Sequence, residues 1–340
     1  MDNVCHTLVG VAMAKAGLER RSGLALPVLA LGANLPDVDV LAMLVGEGLA
    51  FRRGWTHGVV ALVFLPALFV SVLALWARYR HRGMERTRVR LGWLWFMATL
   101  ATATHLVLDW MNSYGVRLLM PLSERWFYGD SLFIVDPWIL LSLGGGVLLA
   151  TRKKRKGPAL WALALVAVYS SANVWMTSSA RKNVARLLRS QRIETRTLVV
   201  DAVPLDPLAR RVIVSDGMSY CFARVRWPHW TLMHPLGEPL PIEADTPWAR
   251  AAAALPEGRR FLKWARVPFF ALGEEPGTVY IADARYARRA RASWAAILVR
   301  IDSGLVERRV QATEGASYVR TGCARGGAGL PERTGGTGGG

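Results

Sequence analysis

Over its first 180 residues the chain alternates long apolar runs with short polar punctuation. Gly58 to Trp76, Leu91 to Leu108, Ser131 to Ala150 and Pro158 to Met176 carry almost no charge. Each is about 18 to 20 residues long, roughly the helix needed to cross a ~30 Å hydrocarbon core. Thr7 to Leu18 and Leu24 to Leu35 are also apolar but stop after about 12 residues, too few to span. Glu19-Arg20-Arg21 separates them, which predicts a short helical hairpin that enters the bilayer or packs on the bundle. No cleavable signal peptide is predicted, because the first apolar run follows Asp2 and His6 without a basic start or a small-residue cleavage site.

Beyond Leu198 the pattern becomes short β-like runs broken by Pro and Gly, such as Thr197-Leu198-Val199-Val200, Arg211-Val212-Ile213-Val214 and Thr278-Val279-Tyr280-Ile281. The expected fold class is therefore mainly α. A polytopic helical membrane bundle, with about four spanning helices and the N-terminal hairpin, is followed by a smaller C-terminal α+β extramembrane domain. The expected divisions are 1–180 for the membrane domain, 181–318 for the extramembrane domain and 319–340 for a disordered Gly-rich tail.

Charge sharpens this picture. With 43 Lys+Arg against 25 Asp+Glu the net charge is +18, yet 52% of the residues are apolar, which excludes a disordered chain. The basic residues do not interleave with aromatics in the manner of a nucleic-acid surface, so no nucleic-acid partner is expected. Instead Arg78, Arg80, Arg82, Arg86, Arg88 and Arg90 fill one connection, and Arg152 through Lys156 fill another. Short loops this basic belong on the cytoplasmic side, which places the start of the 58–76 run, the end of the 91–108 run and the start of the 131–150 run on the opposite, extracytoplasmic face. The basic stretch from Arg181 to Arg196 would then also lie outside, as long translocated domains tolerate. Cys5, Cys221 and Cys323 are too few and too scattered for a disulfide framework or a thiolate cluster.

A handful of ionisable residues sit where a membrane protein keeps charge for function. His6 opens the first apolar stretch, Asp37 and Asp39 lie in Asn34-Leu35-Pro36-Asp37-Val38-Asp39, and His57 ends Arg53-Gly54-Trp55-Thr56-His57. His105 and Asp109 are four apart and hence share a helix face. Together they form a nitrogen-and-oxygen donor set suited to Zn2+, with Mn2+ or Fe as alternatives. Taken singly, each has an ordinary reading: a solvated interfacial His, an Asp capping a turn, or an i,i+4 pair that satisfies itself. Asp130 and Asp136 are expected near the same face, as substrate-facing groups or as helix caps, whereas His229 and His234 read as surface residues of the second domain. No P-loop, Gly-x-Ser-x-Gly or dinucleotide-binding glycine pattern is present.

The ordered set His6-Thr7-Leu8-Val9-Gly10, Leu35-Pro36-Asp37-Val38-Asp39, Arg53-Gly54-Trp55-Thr56-His57 and His105-Leu106-Val107-Leu108-Asp109 resembles the YdjM-like family of bacterial inner-membrane, metal-dependent hydrolases. Asn112-Ser113-Tyr114-Gly115 and Leu119-Met120-Pro121-Leu122-Ser123 extend the resemblance over about residues 1 to 180. Where that family often has His-Arg-Gly, this chain has Arg52-Arg53-Gly54, so position 52 supplies no imidazole. The resemblance implies an inner-membrane hydrolase with a divalent metal. On this expectation His6, Asp39, His57, His105 and Asp109 hold the ion. Asp37 or Asp39 completes the coordination or acts as base, and activated water attacks an ester or phosphodiester of a membrane lipid or lipid-linked substrate. The competing expectation is a non-enzymatic membrane protein with a structural metal site or an ion pathway.

Overall fold

The computed structural model of the chain describes residues 1–45, 51–80, 89–233 and 237–301. The Gly-rich segment 319–340, residues 302–318 of the expected second domain, His234, and Arg82, Arg86 and Arg88 lie outside the described residues. Two compact units emerge. One comprises Met1–Lys182, Val199–Val212 and Arg224–His234, and the other Asn183–Leu198, Ile213–Ala223 and Pro235–Gly340.

In the first unit α1 (Asn3–Lys15) and α2 (Ala25–Gly32) form the short hairpin that the two 12-residue runs predict. Asp2 starts α1 by accepting from the Cys5 amide at 3.0 Å, a side-chain cap for one of the helix's orphan N–H groups. The two helices approach closely at Gly10, where a Cβ would lie 2.2 Å from the Leu29 carbonyl oxygen. Chain direction changes after α2: a 3-10 segment, Leu35–Val45, follows, and the two pieces are bent by 47° at the break before Pro36.

α3 (Val59–Arg80) and α4 (Leu91–Trp110) are long apolar helices packed against each other, followed by α5 (Pro137–Lys153) and α6 (Gly157–Ser190). α3, α4 and α6 are long and apolar enough to cross a membrane, and the bent α2 pair is a fourth candidate as a broken span or re-entrant loop. The 131–150 run forms a shorter helix than its apolar length suggests. Its helix begins only at Pro137, because Asp136 caps the N-terminus through Trp138 and Ile139 amides at 3.0 and 3.2 Å, while Ser131 and Leu132 donate back to the Met111 carbonyl. The remaining 17 residues rise about 25 Å, at the short end of the lengths that cross a ~30 Å core.

The apolar face of α4 organises this core. Leu94, Met97, Ala98, Ala101 and Thr102 are buried at helical spacing, and the same face continues into His105 and Asp109. α1, α2 and α5 contribute Val9, Met13, Leu29, Ile139 and Leu143 to the cluster. Much of α3 is by contrast exposed, Phe64, Leu68 and Leu75 among it, as lipid-facing positions require. Of the three glycines in α5 only Gly146 packs closely, with a Cβ position 2.3 Å from the Ala162 side chain.

Asp136 also accepts from the Tyr169 hydroxyl at 3.0 Å, and Asp130 accepts from Arg181 at 2.7 Å, so both acids that the sequence left open between substrate contact and helix capping serve the scaffold. The Arg210 guanidinium, which reaches α6 from the chain beyond it, is fully buried. It donates to Thr177 Oγ1, Asn173 Oδ1 and three carbonyl oxygens at 2.7 to 3.2 Å. Burial lowers its pKa to about 10, opposed by the charge interactions with Tyr169, Asp201 and Asp206.

The β-like runs form β1 (Thr197–Val203), β2 (Asp206–Ser215), β3 (Ser219–Arg226), β4 (Thr231–Met233) and β5 (Leu240–Pro241), ordered β1-β2-β3-β4 with β5 on β3. In the second unit β6 (Pro268–Leu272), β7 (Thr278–Asp283) and β8 (Ala296–Arg300) form an antiparallel sheet. Two short helices, Pro247–Ala254 and Pro256–Trp264, complete the α+β content there and bury Trp248, Phe261 and Trp264. Arg285 pairs with Asp283 at 2.8 Å, both fully buried, and its guanidinium lies near the rings of Trp264 and Tyr286.

Candidate metal centre

The hairpin of α3 and α4 brings the start of one helix and the end of the other to the same end of the bundle. His57 lies two residues before α3, and its amide is held by the Gly54 carbonyl at 2.9 Å. His105 and Asp109 occupy the last two turns of α4. The residues after α4 fold over this end: the Val59 amide donates to the Leu118 carbonyl and the Arg117 amide to the Arg53 carbonyl, at 2.9 and 2.8 Å. Gly58 fits against the Met120 carbonyl oxygen, 2.3 Å from where a Cβ would sit.

The broken end of α2 supplies the third wall. A helix terminus leaves carbonyls without intrahelical donors. Here Thr102 Oγ1 donates to the Gly32 carbonyl at 3.1 Å, and His105 Nδ1 lies 2.7 Å from the Ala33 carbonyl oxygen. A carbonyl only accepts, so the His105 proton is on Nδ1 and its Nε2 lone pair faces the interior. There Nε2 of His105 lies 3.2 Å from Nε2 of His57. Asp109 Oδ2 is 3.3 Å from the first and 3.4 Å from the second. Asp37 Oδ1, from the first turn of the 3-10 segment, is 3.9 Å from both nitrogens.

Asp37, His57, His105 and Asp109 thus place one ligand atom each within 4.8 Å of one another. A tetrahedral ion with ligand bonds of 2.0–2.2 Å separates its donors by about 3.4 Å, so the His57–His105–Asp109 triangle has the size that a single divalent ion needs. Among the described residues, Asp109 Oδ2 is buried without a hydrogen-bond partner. A buried carboxylate oxygen opposed by two imidazole nitrogens and no proton donor is costly alone and fits a cation. His57, His105 and Asp109 are fully buried, whereas the Asp37 side chain is 13% exposed.

The other predicted residues surround this group. Asp39 lies behind His57, with Oδ2 3.4 Å from Nδ1, and accepts from the Arg53 amide at 2.6 Å. Thr56 Oγ1 lies 3.0 Å from the same Nδ1. A carboxylate on the outer nitrogen directs the inner one toward the centre. Burial lowers the His57 pKa to about 4, against the pull of Asp109, so the ring is in the neutral form that binds metals. His6 stacks on His105 with ring centroids 3.8 Å apart, its Nε2 3.4 Å from Asp109 Oδ1. That second oxygen of Asp109 also accepts from the Met1 amino group and faces Arg53 Nη2 at 3.3 Å. His229 is exposed, as the sequence suggests.

Sequence reasoning did not single out Arg53 or Asn112 as parts of this site. Asn112 joins Arg53 Nη1 at 3.3 Å to the Tyr114 amide at 2.8 Å through one oxygen. The available signal was position alone, an arginine next to the glycine of a motif that ends in His57.

Fold and site together define a multi-pass membrane protein with a histidine–aspartate centre at one end of its helix bundle. A family model described as YdjM inner membrane protein matches residues 1–180, and the chain belongs to that family of multi-pass inner-membrane proteins. It is also similar to "Uncharacterized protein YfhP" of Bacillus subtilis (strain 168), with 26% identity over 155 residues. That match covers 42% of this chain and 44% of the relative, so the chain spans less than half of the length of that relative. No solved structure matches the chain.

Proposed function

We propose that the protein is a metal-dependent hydrolase that cleaves an ester or phosphodiester of a lipid or lipid-linked substrate, with its centre toward the extracytoplasmic face. The observation that carries this reading is the triangle of His57 Nε2, His105 Nε2 and Asp109 Oδ2, at 3.2 to 3.4 Å, with the partly exposed Asp37 beside it. A divalent ion, Zn2+ in the first instance, lowers the pKa of bound water toward neutrality and polarises a carbonyl or phosphoryl oxygen. His57, His105 and Asp109 would hold it. Asp37 is placed either to complete the coordination or to take the proton from the attacking water. Asp39 holds His57 by its outer nitrogen, and the Ala33 carbonyl does the same for His105. His6 packs the buried side of His105.

The partial exposure of Asp37, beside three fully buried donors, is the feature that supports catalysis over a closed structural site, which has no vacant coordination position. The extracytoplasmic placement rests on the basic connections beginning at Arg78 and Arg152, which lie at the far ends of α3 and α5 from the start of each helix. The test has two parts on detergent-purified protein: divalent metal by mass spectrometry in the wild type, His57→Ala and His105→Ala, then hydrolysis of phospholipids in mixed micelles with and without chelator. Stoichiometric metal lost in both variants, together with chelator-sensitive hydrolysis, is expected. Full metal content in both variants, or hydrolysis indifferent to metal, overturns the proposal.

A further inference from the structure

Arg53 sits where a metal centre by itself has no use for a cation. Its residue is buried, and Nη2 lies 3.3 Å from Asp109 Oδ1, so the guanidinium and the donor triangle flank the two oxygens of one carboxylate. A positive charge so close to a divalent ion opposes the ion's binding. The chain nevertheless fixes it there from several directions. The backbone of Arg53 is left-handed, φ 50°, a conformation that disfavours a residue with a side chain. Its amide is held by Asp39 and its carbonyl by the Arg117 amide. The guanidinium lies over the Tyr114 ring at 4.7 Å and donates to Asn112 Oδ1. Its Nε is buried with no partner among the described residues.

From this we infer that Arg53 is a substrate-binding residue that recognises a phosphoryl group, which narrows the substrate class from esters in general to phosphate esters; this rests on the metal-centre reading above. A carboxylic ester is neutral and gains little from a fixed guanidinium. A phosphate mono- or diester carries negative charge, and its oxygens match the planar donor fork of Arg. Its arrival offsets the positive charge of the ion and the guanidinium, to which the Met1 amino group on Asp109 Oδ1 adds, and the same guanidinium then stabilises the charge that builds on the equatorial oxygens during displacement.

The experiment uses the full chain loaded with zinc in detergent, with metal content measured for every sample. Orthophosphate and short-chain phosphatidylglycerol are titrated separately, binding being read by calorimetry and by the thermal midpoint. Arg53→Gln is expected to keep its zinc and to bind phosphate at least tenfold more weakly. Arg53→Lys, which keeps the charge but loses the fork, is expected to fall between the two. Arg53-dependent binding of both ligands, with the lipid tighter, assigns a lipid-borne phosphoryl group, and dependence for orthophosphate alone assigns a soluble phosphate ester. Equal phosphate affinity in all three proteins, or none in a zinc-loaded wild type, overturns this inference and leaves the metal centre standing. A wild type that takes up no divalent ion overturns both.

Discussion

Replacing Asp39 separates a residue that orients a ligand from a ligand itself. Its Oδ2 accepts from the Arg53 amide at 2.6 Å and lies 3.4 Å from His57 Nδ1. In Asp39→Ala the outer nitrogen of His57 loses its carboxylate and keeps only Thr56 Oγ1, at 3.0 Å, and changes of this kind typically weaken metal binding 10–100-fold, about 1.4–2.7 kcal/mol. The Arg53 amide also becomes a buried donor without an acceptor, which costs about 1–3 kcal/mol of stability. Asp39→Asn keeps one acceptor oxygen of the same size while it removes the charge and turns the other oxygen into an N–H donor, so its affinity loss belongs at the tenfold end. The assay is competition for Zn2+ between detergent-solubilised protein and a chromophoric chelator, with thermal unfolding recorded on the same samples. If Asp39→Ala binds zinc within twofold of the wild type, the orienting role is refuted. If Asp39→Asn loses zinc as completely as His57→Ala does, Asp39 is itself a ligand.

Three further outcomes follow from the structure. Stripping zinc with a chelator is expected to lower the thermal midpoint, since free ion at 100 times Kd contributes about 2.7 kcal/mol, and a midpoint independent of zinc concentration contradicts a metal in the folded centre. Gly10→Ala is expected to push α1 from α2 and cost about 1–3 kcal/mol, whereas Gly144→Ala, with nothing within 4 Å of its Cβ position, is expected to leave the midpoint unchanged; equal midpoints refute the close approach. Cys5 is expected to resist alkylation in the native protein: burial raises its pKa to about 12, so at pH 9 roughly one native thiol in a thousand is ionised against about half in the unfolded chain. Rapid labelling of the Cys5 peptide at pH 9 without denaturant contradicts that.

Much of the membrane unit was legible because membrane insertion is a strong constraint on pattern. The 58–76, 91–108 and 158–176 runs are long helices, and the pairing of His105 with Asp109 follows from a buried face read at helical spacing. The Asp-x-Asp pair was harder. In a 3-10 segment each residue turns about 120°, so Asp37 and Asp39 leave the axis in different directions. One reaches the inner nitrogens of the two histidines and the other the outer nitrogen of His57. Sequence gives the two carboxylates but not the rotation of the segment that carries them. Arg53 was illegible for a related reason: the inward aim of its side chain depends on a left-handed φ and on bonds to Asp39 and Arg117, which are distant in sequence. The 131–150 run read as a span from Ser131 because Asp136 is its single charge, but the Asp136-Pro137 step starts the helix late.

The gathered donor set holds only imidazole nitrogens and carboxylate oxygens, with Cys5 buried and free in α1. No sulfur ligand is present to be oxidised to a disulfide or a sulfenic acid. The ligands of such a centre stay competent across the swings in redox potential that a cell envelope experiences. Ion binding by such ligands would depend on the supply of the ion and on the acidity of the medium, which sets how many imidazoles and carboxylates are deprotonated.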